Sequence, residues 1–279
     1  MTEKEGPTKM EIGISIYSGI EIESIVKSLK EHGVKRTFLR SEMEDFDNVM
    51  SLLNESEIIC ETLHAPYDTI NDMWCEDEEK GNAVLTRLKN AVDRCVKYEI
   101  PIVVVHVSSG RPMPVITEEG IRRYQWLFEY AEERGIQIAL ENLRYFENLD
   151  YFFDNYDFPG FCWDNGHEVC FTPGADCLKK YKDRMIALHI NDNRCDYDAD
   201  DHIIPLEGNI DFDNVAKRLA QSGYDGTLML EIAKDIVVDG ERVYANLSDS
   251  DYIGRAVCNA KKIADMVEKY KSEVQRNML

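Results

Sequence analysis

The pattern of apolar and polar residues divides most of this chain into repeating units. Eight short runs rich in Ile, Val and Leu are each followed by a segment whose apolar residues have helical spacing. The apolar runs are residues 11–17, 36–40, 59–67, 102–109, 137–142, 160–167, 185–192 and 227–233. Near-continuous runs of this kind are typical of strands buried on both faces, and their alternation with helices indicates parallel pairing. We therefore expect eight strand–helix units.

The segments between the runs predict amphipathic helices. Apolar side chains recur on one stripe from Glu78 to Tyr98, which predicts a single long helix. Thr117 is a suitable N-cap for the helix after the fourth run, and Gly135 is a suitable C-cap. A final long helix is expected over residues 251–274. The polar residues 1–10 are expected to form a disordered or loosely attached lead-in.

Eight parallel units close most naturally into a single (β/α)8 TIM barrel, an α/β fold of about 250 residues. No linker or change of composition divides the chain, so we expect one domain over residues 11–279. An open, doubly wound sheet is the alternative. No glycine fingerprint of the GxGxxG kind follows an early run, which counts against dinucleotide binding.

Histidines and glutamates collect where the predicted strands end. Five of the six histidines lie at or just past the end of a short apolar run: His64, His106, His167, His189 and His202. Two further runs end in Glu141 and Glu231. A barrel of parallel strands gathers its chemistry at the ends of its strands. The pattern therefore places metal ligands and acid–base groups on one rim.

Four residues at these strand ends predict a metal site. Glu141, Asp164, His189 and Glu231 fall at the ends of the fifth to the eighth strand. Adjacent strands direct their ends at a common volume, and three carboxylates there would repel one another in a partly buried site. A divalent cation removes that cost, and oxygen and nitrogen ligands suit Mn²⁺, Mg²⁺, Co²⁺ or Zn²⁺. The alternative is that each residue is solvated on the rim or forms half of a salt bridge.

A second group of residues is a candidate for substrate binding or for additional metal. It consists of His64, His106, His167, Arg194, Asp200 and His202. The two histidines that close apolar strands have buried core positions as their alternative, and the acidic loop DYDADDH is otherwise a flexible, solvated stretch. The arginine is suited to a phosphate or a sugar hydroxyl, with ordinary surface charge as its alternative.

Composition narrows the class of partner. The 279 residues include 32 basic and 53 acidic side chains, which give a formal net charge of −21. This charge counts against nucleic acid as a partner, because nucleic-acid binders usually present a basic face. The segment MTEKEGPTKM lacks the apolar core of a signal peptide, and no run approaches the ~18 apolar residues of a membrane-spanning helix. Eight cysteines without a CxxC motif indicate free thiols in a reducing cytoplasm.

The order of motifs resembles a known family. LHAPY, VVVHVSS, ALEN, WDNGH, LHINDN, DxHxxPLEGNIDF and GYDGTLMLE follow one another along residues 11–275. This order is similar to that of the xylose isomerase-like barrel superfamily, which contains sugar isomerases and epimerases as well as apurinic-site endonucleases.

In the isomerase and epimerase branch, the resemblance implies one divalent metal bound by Glu141, Asp164, His189 and Glu231. It also implies that Glu141 and Glu231 transfer protons through a metal-stabilised enediolate. The expected substrate is a small sugar, sugar phosphate or cyclitol, and the chain is a possible homo-oligomer.

Two alternatives remain open. The endonuclease branch holds up to three Zn²⁺ with nine ligands. Those ligands match His64, His106, Glu141, Asp164, His167, His189, Asp200, His202 and Glu231. The residues after His106 (VSSG) and after Glu141 (NLRYFE) depart from that branch. The other alternative is a non-catalytic barrel that binds sugars.

Overall fold

A computed structural model describes residues 10–16 and 21–277. Eight parallel strands, β1 to β8, form its central sheet, in the order β7-β6-β5-β4-β3-β2-β1-β8. Their bounds are Ile12–Ile14, Arg36–Arg40, Ile59–His64, Ile102–Val105, Gln137–Glu141, Gly160–Asp164, Met185–His189 and Leu228–Leu230. Each strand lies within one of the eight predicted runs.

The sheet closes on itself between its last two strands. β1 pairs with β8 in parallel, with Gly13 opposite Met229. Beyond the end of β7, the amide of Ile190 donates to the carbonyl of Met229 at 2.8 Å, and the amide of Glu231 donates to the carbonyl of Ile190 at 2.9 Å. These bonds join β7 to β8, so the fold is the expected α/β TIM barrel and not an open sheet.

Nine α-helices lie in the described part of the chain. In order, α1 to α9 are Ile22–Glu31, Phe46–Glu55, Glu78–Tyr98, Glu118–Glu132, Glu147–Asn155, Asn165–Phe171, Cys177–Tyr181, Phe212–Ser222 and Asp249–Asn277. Short 3₁₀ helices cover Ile70–Trp74 and Lys182–Arg184. No helix among these described residues is long and apolar enough to cross a bilayer.

Several helix ends follow the predicted capping chemistry. α3 has the predicted bounds, and the Thr117 side chain accepts a hydrogen bond from the amide of Gly120 at the start of α4. Gly135 adopts a left-handed φ of 69° just after α4, which ends at Glu132. Helix α4 therefore ends a few residues before Gly135, the predicted C-cap. Gly135 provides the left-handed conformation of the turn that follows the helix.

Helix α6 and one hairpin are among the elements that the sequence did not predict. Residues 165–167, which we assigned to the end of an apolar run, begin α6 instead. The cause is local: the Asp164 carboxylate accepts a hydrogen bond from the amide of His167 at 2.6 Å and caps the helix. The second element is a small antiparallel hairpin of β9 (Val237–Val238) and β10 (Glu241–Arg242). Asp239 and Gly240 both have positive φ at its turn.

Of the predicted lead-in over residues 1–10, the structure describes only Met10. Met10 is buried in the core at 5% exposure, so the last residue of the predicted lead-in is packed. Residues 1–9 lie outside the described residues, and the loose lead-in stays a prediction for them. Trp74 and Trp163 are core residues at 2% and 0% exposure.

The packing of α4 against the barrel depends on a glycine. A Cβ at Gly120 would lie 2.3 Å from Cε3 of Trp74 and 3.1 Å from its backbone Cα. We expect Gly120→Ala to lower the free energy of unfolding by about 1–3 kcal/mol, because a buried ring and the main chain must both move. Chemical denaturation measures the effect. Glu132→Ala on an exposed position of the same helix is the control and should change stability by less than about 0.5 kcal/mol.

Candidate metal centre

Four predicted ligands meet at the carboxyl end of the barrel. Glu141, Asp164 and His189 are the last residues of β5, β6 and β7, and Glu231 directly follows β8. One ligand atom from each residue lies within 4.8 Å of those of the others, and all four residues are buried. The structure therefore brings together the whole set that the strand ends predicted.

The Glu141 carboxylate contacts three histidines. Its Oε1 lies 2.8 Å from Nδ1 of His189, and its Oε2 lies 2.8 Å from Nε2 of His106. Nε2 of His64 lies 3.3 Å from the same Oε2. Nδ1 of His189 also lies 2.9 Å from Oε2 of Glu231. A single imidazole nitrogen thus lies between carboxylates from β5 and β8.

Asp164 is held by amide side chains as well as by its helix. Its Oδ1 caps α6, and both of its carboxylate oxygens accept from Nδ2 of Asn191, at 3.3 and 3.1 Å. Asn142 bonds the backbone of Asp164 twice, once as donor and once as acceptor, both at 2.8 Å. These bonds fix the direction of the carboxylate towards the cluster.

The buried groups balance one another's charge. Burial raises the pKa of Asp164 to about 7. Burial also opposes the charge on Glu141, but His189, His106 and His64 hold the pKa of Glu141 well below its ordinary value. Burial disfavours a charged His189 ring, yet Cys162 and the Glu231 and Glu141 carboxylates raise the pKa of His189 well above its ordinary value. Carboxylates this close together require positive charge between them.

A second cluster adjoins the first. Oδ2 of Asp200 lies 3.2 Å from Nε2 of His167 and 3.3 Å from Nε2 of His202. These three residues form another group with ligand atoms close enough to share an ion. Nδ1 of His167 lies 3.8 Å from Oε1 of Glu141, which joins the two clusters. His64 and His106 form a third group with Glu141.

The donor set fits a divalent cation. Carboxylate oxygens and imidazole nitrogens are ligands of Mn²⁺, Co²⁺ and Zn²⁺, and three mutually close carboxylates are costly without a cation. Oδ1 of Asp200 is buried and has no hydrogen-bond partner within residues 10–16 and 21–277. Such an oxygen is available to an ion.

A comparison with protein-family models shows which family the chain belongs to. The model described as xylose isomerase-like TIM barrel matches residues 15–250. The chain belongs to this family. The match includes every residue of the two clusters.

Two curated relatives are similar over part of their length. An uncharacterized protein of Sinorhizobium fredii is 32% identical over 197 residues, 64% of this chain and 60% of that protein. An uncharacterized protein of Methanocaldococcus jannaschii is 27% identical over 195 residues, 63% of this chain and 64% of that protein. The matched part of the chain thus spans less than two thirds of the length of these relatives.

Solved structures share the xylose isomerase-like fold. A D-tagatose 3-epimerase-like protein has a TM-score of 0.72 and 22% identity, covering 95% of this chain and 100% of that chain. The 3-keto-D-glucoside 4-epimerase YcjR of E. coli has a TM-score of 0.69 and 16% identity, covering 91% and 100%. An IOLI protein with a bound zinc atom has a TM-score of 0.69 and 20% identity, covering 94% and 99%. At these identities the likeness establishes the fold.

In this xylose isomerase-like barrel, the Arg194 side chain pairs with two aspartates that belong to neither cluster. Its Nε and Nη2 each donate to the Asp201 carboxylate at 3.0 Å, and its Nη1 donates to Asp239 at 2.6 Å. Arg194 therefore fastens the loop after β7 to the β9–β10 hairpin. The same loop carries Asp200, so this pairing helps to hold Asp200 in position in the second cluster.

The sequence analysis missed several cavity residues, three of which have long polar side chains. Arg40, Tyr67 and Arg144 line the cavity of about 110 Å³ above the clusters. Arg40 is the last residue of β2, and its Nη2 donates to the Tyr67 hydroxyl at 2.7 Å. Arg144 lies over the ring of Phe171 and pairs with Asp198 at 3.0 Å. The position of Arg40 at a strand end is the sequence signal that could have found it.

Addition of metal should stabilise the metal-stripped protein. We expect Mn²⁺ to raise its melting temperature, because an ion that binds only the folded state adds about 2.7 kcal/mol at a free concentration about 100 times Kd. Thermal unfolding with and without Mn²⁺ measures the shift. His189→Ala should abolish it, whereas His32→Ala, at the end of α1, should retain it. An equal shift in both variants would contradict a site at the four strand ends.

The Arg194 pairing predicts a stability effect. Arg194→Met leaves Asp201, which is 9% exposed, without its partner charge. We expect a lower free energy of unfolding, measured by chemical denaturation, with a smaller loss than for a fully buried pair because the arginine is 30% exposed. Arg242→Met, at an exposed site on β10, is the control and should cost less than about 0.5 kcal/mol.

Proposed function

We propose that this protein is a divalent-metal-dependent isomerase or epimerase of a small sugar or sugar-like carbonyl compound. The observation that carries the proposal is the buried set of Glu141, Asp164, His189 and Glu231, with ligand atoms within 4.8 Å of one another. The fold shared with structures named as a D-tagatose 3-epimerase-like protein and a 3-keto-D-glucoside 4-epimerase supports the same class of reaction.

The four ligands would hold the ion, and the remaining polar groups would hold the substrate. A divalent cation at this position supplies Lewis-acid polarisation of a carbonyl oxygen, which makes a proton on the neighbouring carbon easier to remove. His64 and His106 lie beside Glu141 and line the cavity, where their ring N–H groups would orient substrate hydroxyls. Burial of the whole set excludes water and strengthens each of these interactions.

Glu141 and Glu231 are the proposed proton-transfer pair. His189 lies between them, which keeps both carboxylates ionised: it contributes to the lowered pKa of each, against the effect of burial. An ionised carboxylate can accept the proton from the carbon next to the carbonyl. One glutamate removes this proton, and the other takes up a proton from solvent and returns it to the opposite face or to the neighbouring carbon.

Replacement of one glutamate tests this assignment. Glu231→Gln should lower turnover by about 10²- to 10⁴-fold, because the amide cannot take the proton. The measurement is deuterium incorporation from D₂O into a panel of ketoses, inosose-type cyclitols and sugar phosphates, with Mn²⁺ present. Glu241→Gln, on exposed β10, is the matched control and should keep full activity.

Two outcomes of this experiment would contradict the proposal. Near-normal exchange in Glu231→Gln would remove this residue from the chemistry. Tight binding of a sugar by the unmodified chain, with no exchange into any probe, would favour a sugar-binding barrel without catalysis.

A second candidate function is phosphodiester cleavage at abasic sites by a three-zinc centre. The observation in its favour is the pair of additional ligand groups, one formed by His64, His106 and Glu141 and the other by His167, Asp200 and His202. The net charge of −21 counts against it, since a DNA-binding face must replace counterions around phosphates.

Metal content separates the two candidates. Elemental analysis of the purified protein should give one exchangeable divalent ion per chain under the isomerase proposal. Three tightly held zinc ions per chain, together with cleavage of an abasic duplex, would favour the nuclease. His167→Ala is informative here, because it should lower the zinc content only if the second cluster binds metal.

The proposed substrate is a small molecule in a reducing cytoplasm. All eight cysteines are free, and all eight lie within the described residues. Free thiols in this number are typical of a reducing compartment.

A homo-oligomer stays a prediction.

A further inference from the structure

A second, larger cavity adjoins the metal cluster. It has a volume of about 480 Å³, whereas the cavity above the cluster has about 110 Å³. Arg40, His64 and Tyr67 line both cavities, so the two share a wall. Pockets that bury a drug-sized ligand typically measure ~300–1,000 Å³. The outer cavity therefore has room for a whole additional ring, and the inner one holds only the reacting part of a substrate.

The walls of the outer cavity are largely apolar. Ile16 and Ile22 line it on one side, and Met43, Ala65 and Pro66 line it beyond the ends of β2 and β3. A sugar ring presents a face of C–H groups and an edge of hydroxyls. The C–H face packs well against aliphatic side chains, and the hydroxyls need hydrogen-bonding groups at the edge.

The outer cavity also contains groups suited to the polar edge of such a ring. Ser41 is a lining residue with 8% exposure, and its Oγ is buried with no hydrogen-bond partner within residues 10–16 and 21–277. A buried hydroxyl without a partner is costly, and a serine hydroxyl moves among its staggered positions at small cost. Arg40 adds guanidinium donors on the shared wall.

We propose that the substrate is a glycoside: its keto-sugar unit lies at the metal cluster, and a second sugar ring occupies the outer cavity, where Ser41 bonds one of its hydroxyls. This inference rests on the proposed function, which it deepens by naming the substrate class. The two rings would lie on adjoining sides of the Arg40, His64 and Tyr67 side chains, which line both cavities.

Binding measurements test the subsite directly. The probes are cellobiose, maltose and sucrose, with methyl α- and β-D-glucopyranoside and phenyl β-D-glucopyranoside for comparison. In calorimetric titrations of the metal-loaded chain, we expect at least one disaccharide to bind about tenfold more tightly than the methyl glucosides.

Three variants locate the preference in the outer cavity. Ile22→Trp fills the cavity and should remove the disaccharide preference, whereas Ile59→Trp, at an exposed site at the start of β3, should retain it. Ser41→Ala should weaken the disaccharide about 3- to 10-fold without weakening the methyl glucosides. Its melting temperature should not fall, because the deleted hydroxyl has no protein partner.

The subsite and the proposed function fail in different ways. Equal affinity for disaccharides and methyl glucosides, or a preference that survives Ile22→Trp, overturns the subsite. Tight binding of the phenyl glucoside alone also overturns it and indicates an aryl pocket. Deuterium exchange is read separately on the panel of free ketoses: its absence overturns the proposed function, whereas a disaccharide preference lost in Ile22→Trp supports the subsite independently.

Discussion

The structure depends on the burial of carboxylates that need positive charge beside them. Glu141 and Asp164 have no exposed surface, and Glu231 is 3% exposed. Buried charges persist only when they are paired or coordinate an ion. Here His189 lies 2.8 Å from one glutamate and 2.9 Å from the other, and His106 adds a further contact to Glu141. The same arrangement that balances charge in the protein also provides the ligand atoms of the proposed cation site.

The barrel meets this constraint through its connectivity. Parallel strands place all their carboxyl ends on one rim, so residues far apart in sequence become neighbours there. Supporting contacts then fix their direction: Asn191 holds the Asp164 carboxylate, and Arg194 ties the loop after β7 to the hairpin beyond β8. These supports cannot be replaced freely, because a small shift of one ligand would leave another charge buried without a partner.

Most of the fold could be predicted from local pattern. The apolar runs predicted all eight strands, and the stripe of apolar residues predicted α3 with its observed bounds. Helix α6 was missed because its start depends on one hydrogen bond, from the His167 amide to Asp164, and not on a periodic pattern. The structure also places nine of the ten candidate site residues in connected clusters. The tenth, Arg194, pairs with Asp201 and Asp239, and a role in substrate binding stays a prediction for it.

The sequence by itself determined the type and order of the elements and the chemical character of the strand ends, because periodicity and residue type are local properties. The tertiary structure decided which of those ends share a volume and which pairs neutralise each other. It also formed the outer cavity, whose walls come from segments after β1, β2 and β3. These features depend on distances of a few ångströms between side chains from different strands, and barrel closure sets such distances while residue spacing along the chain does not.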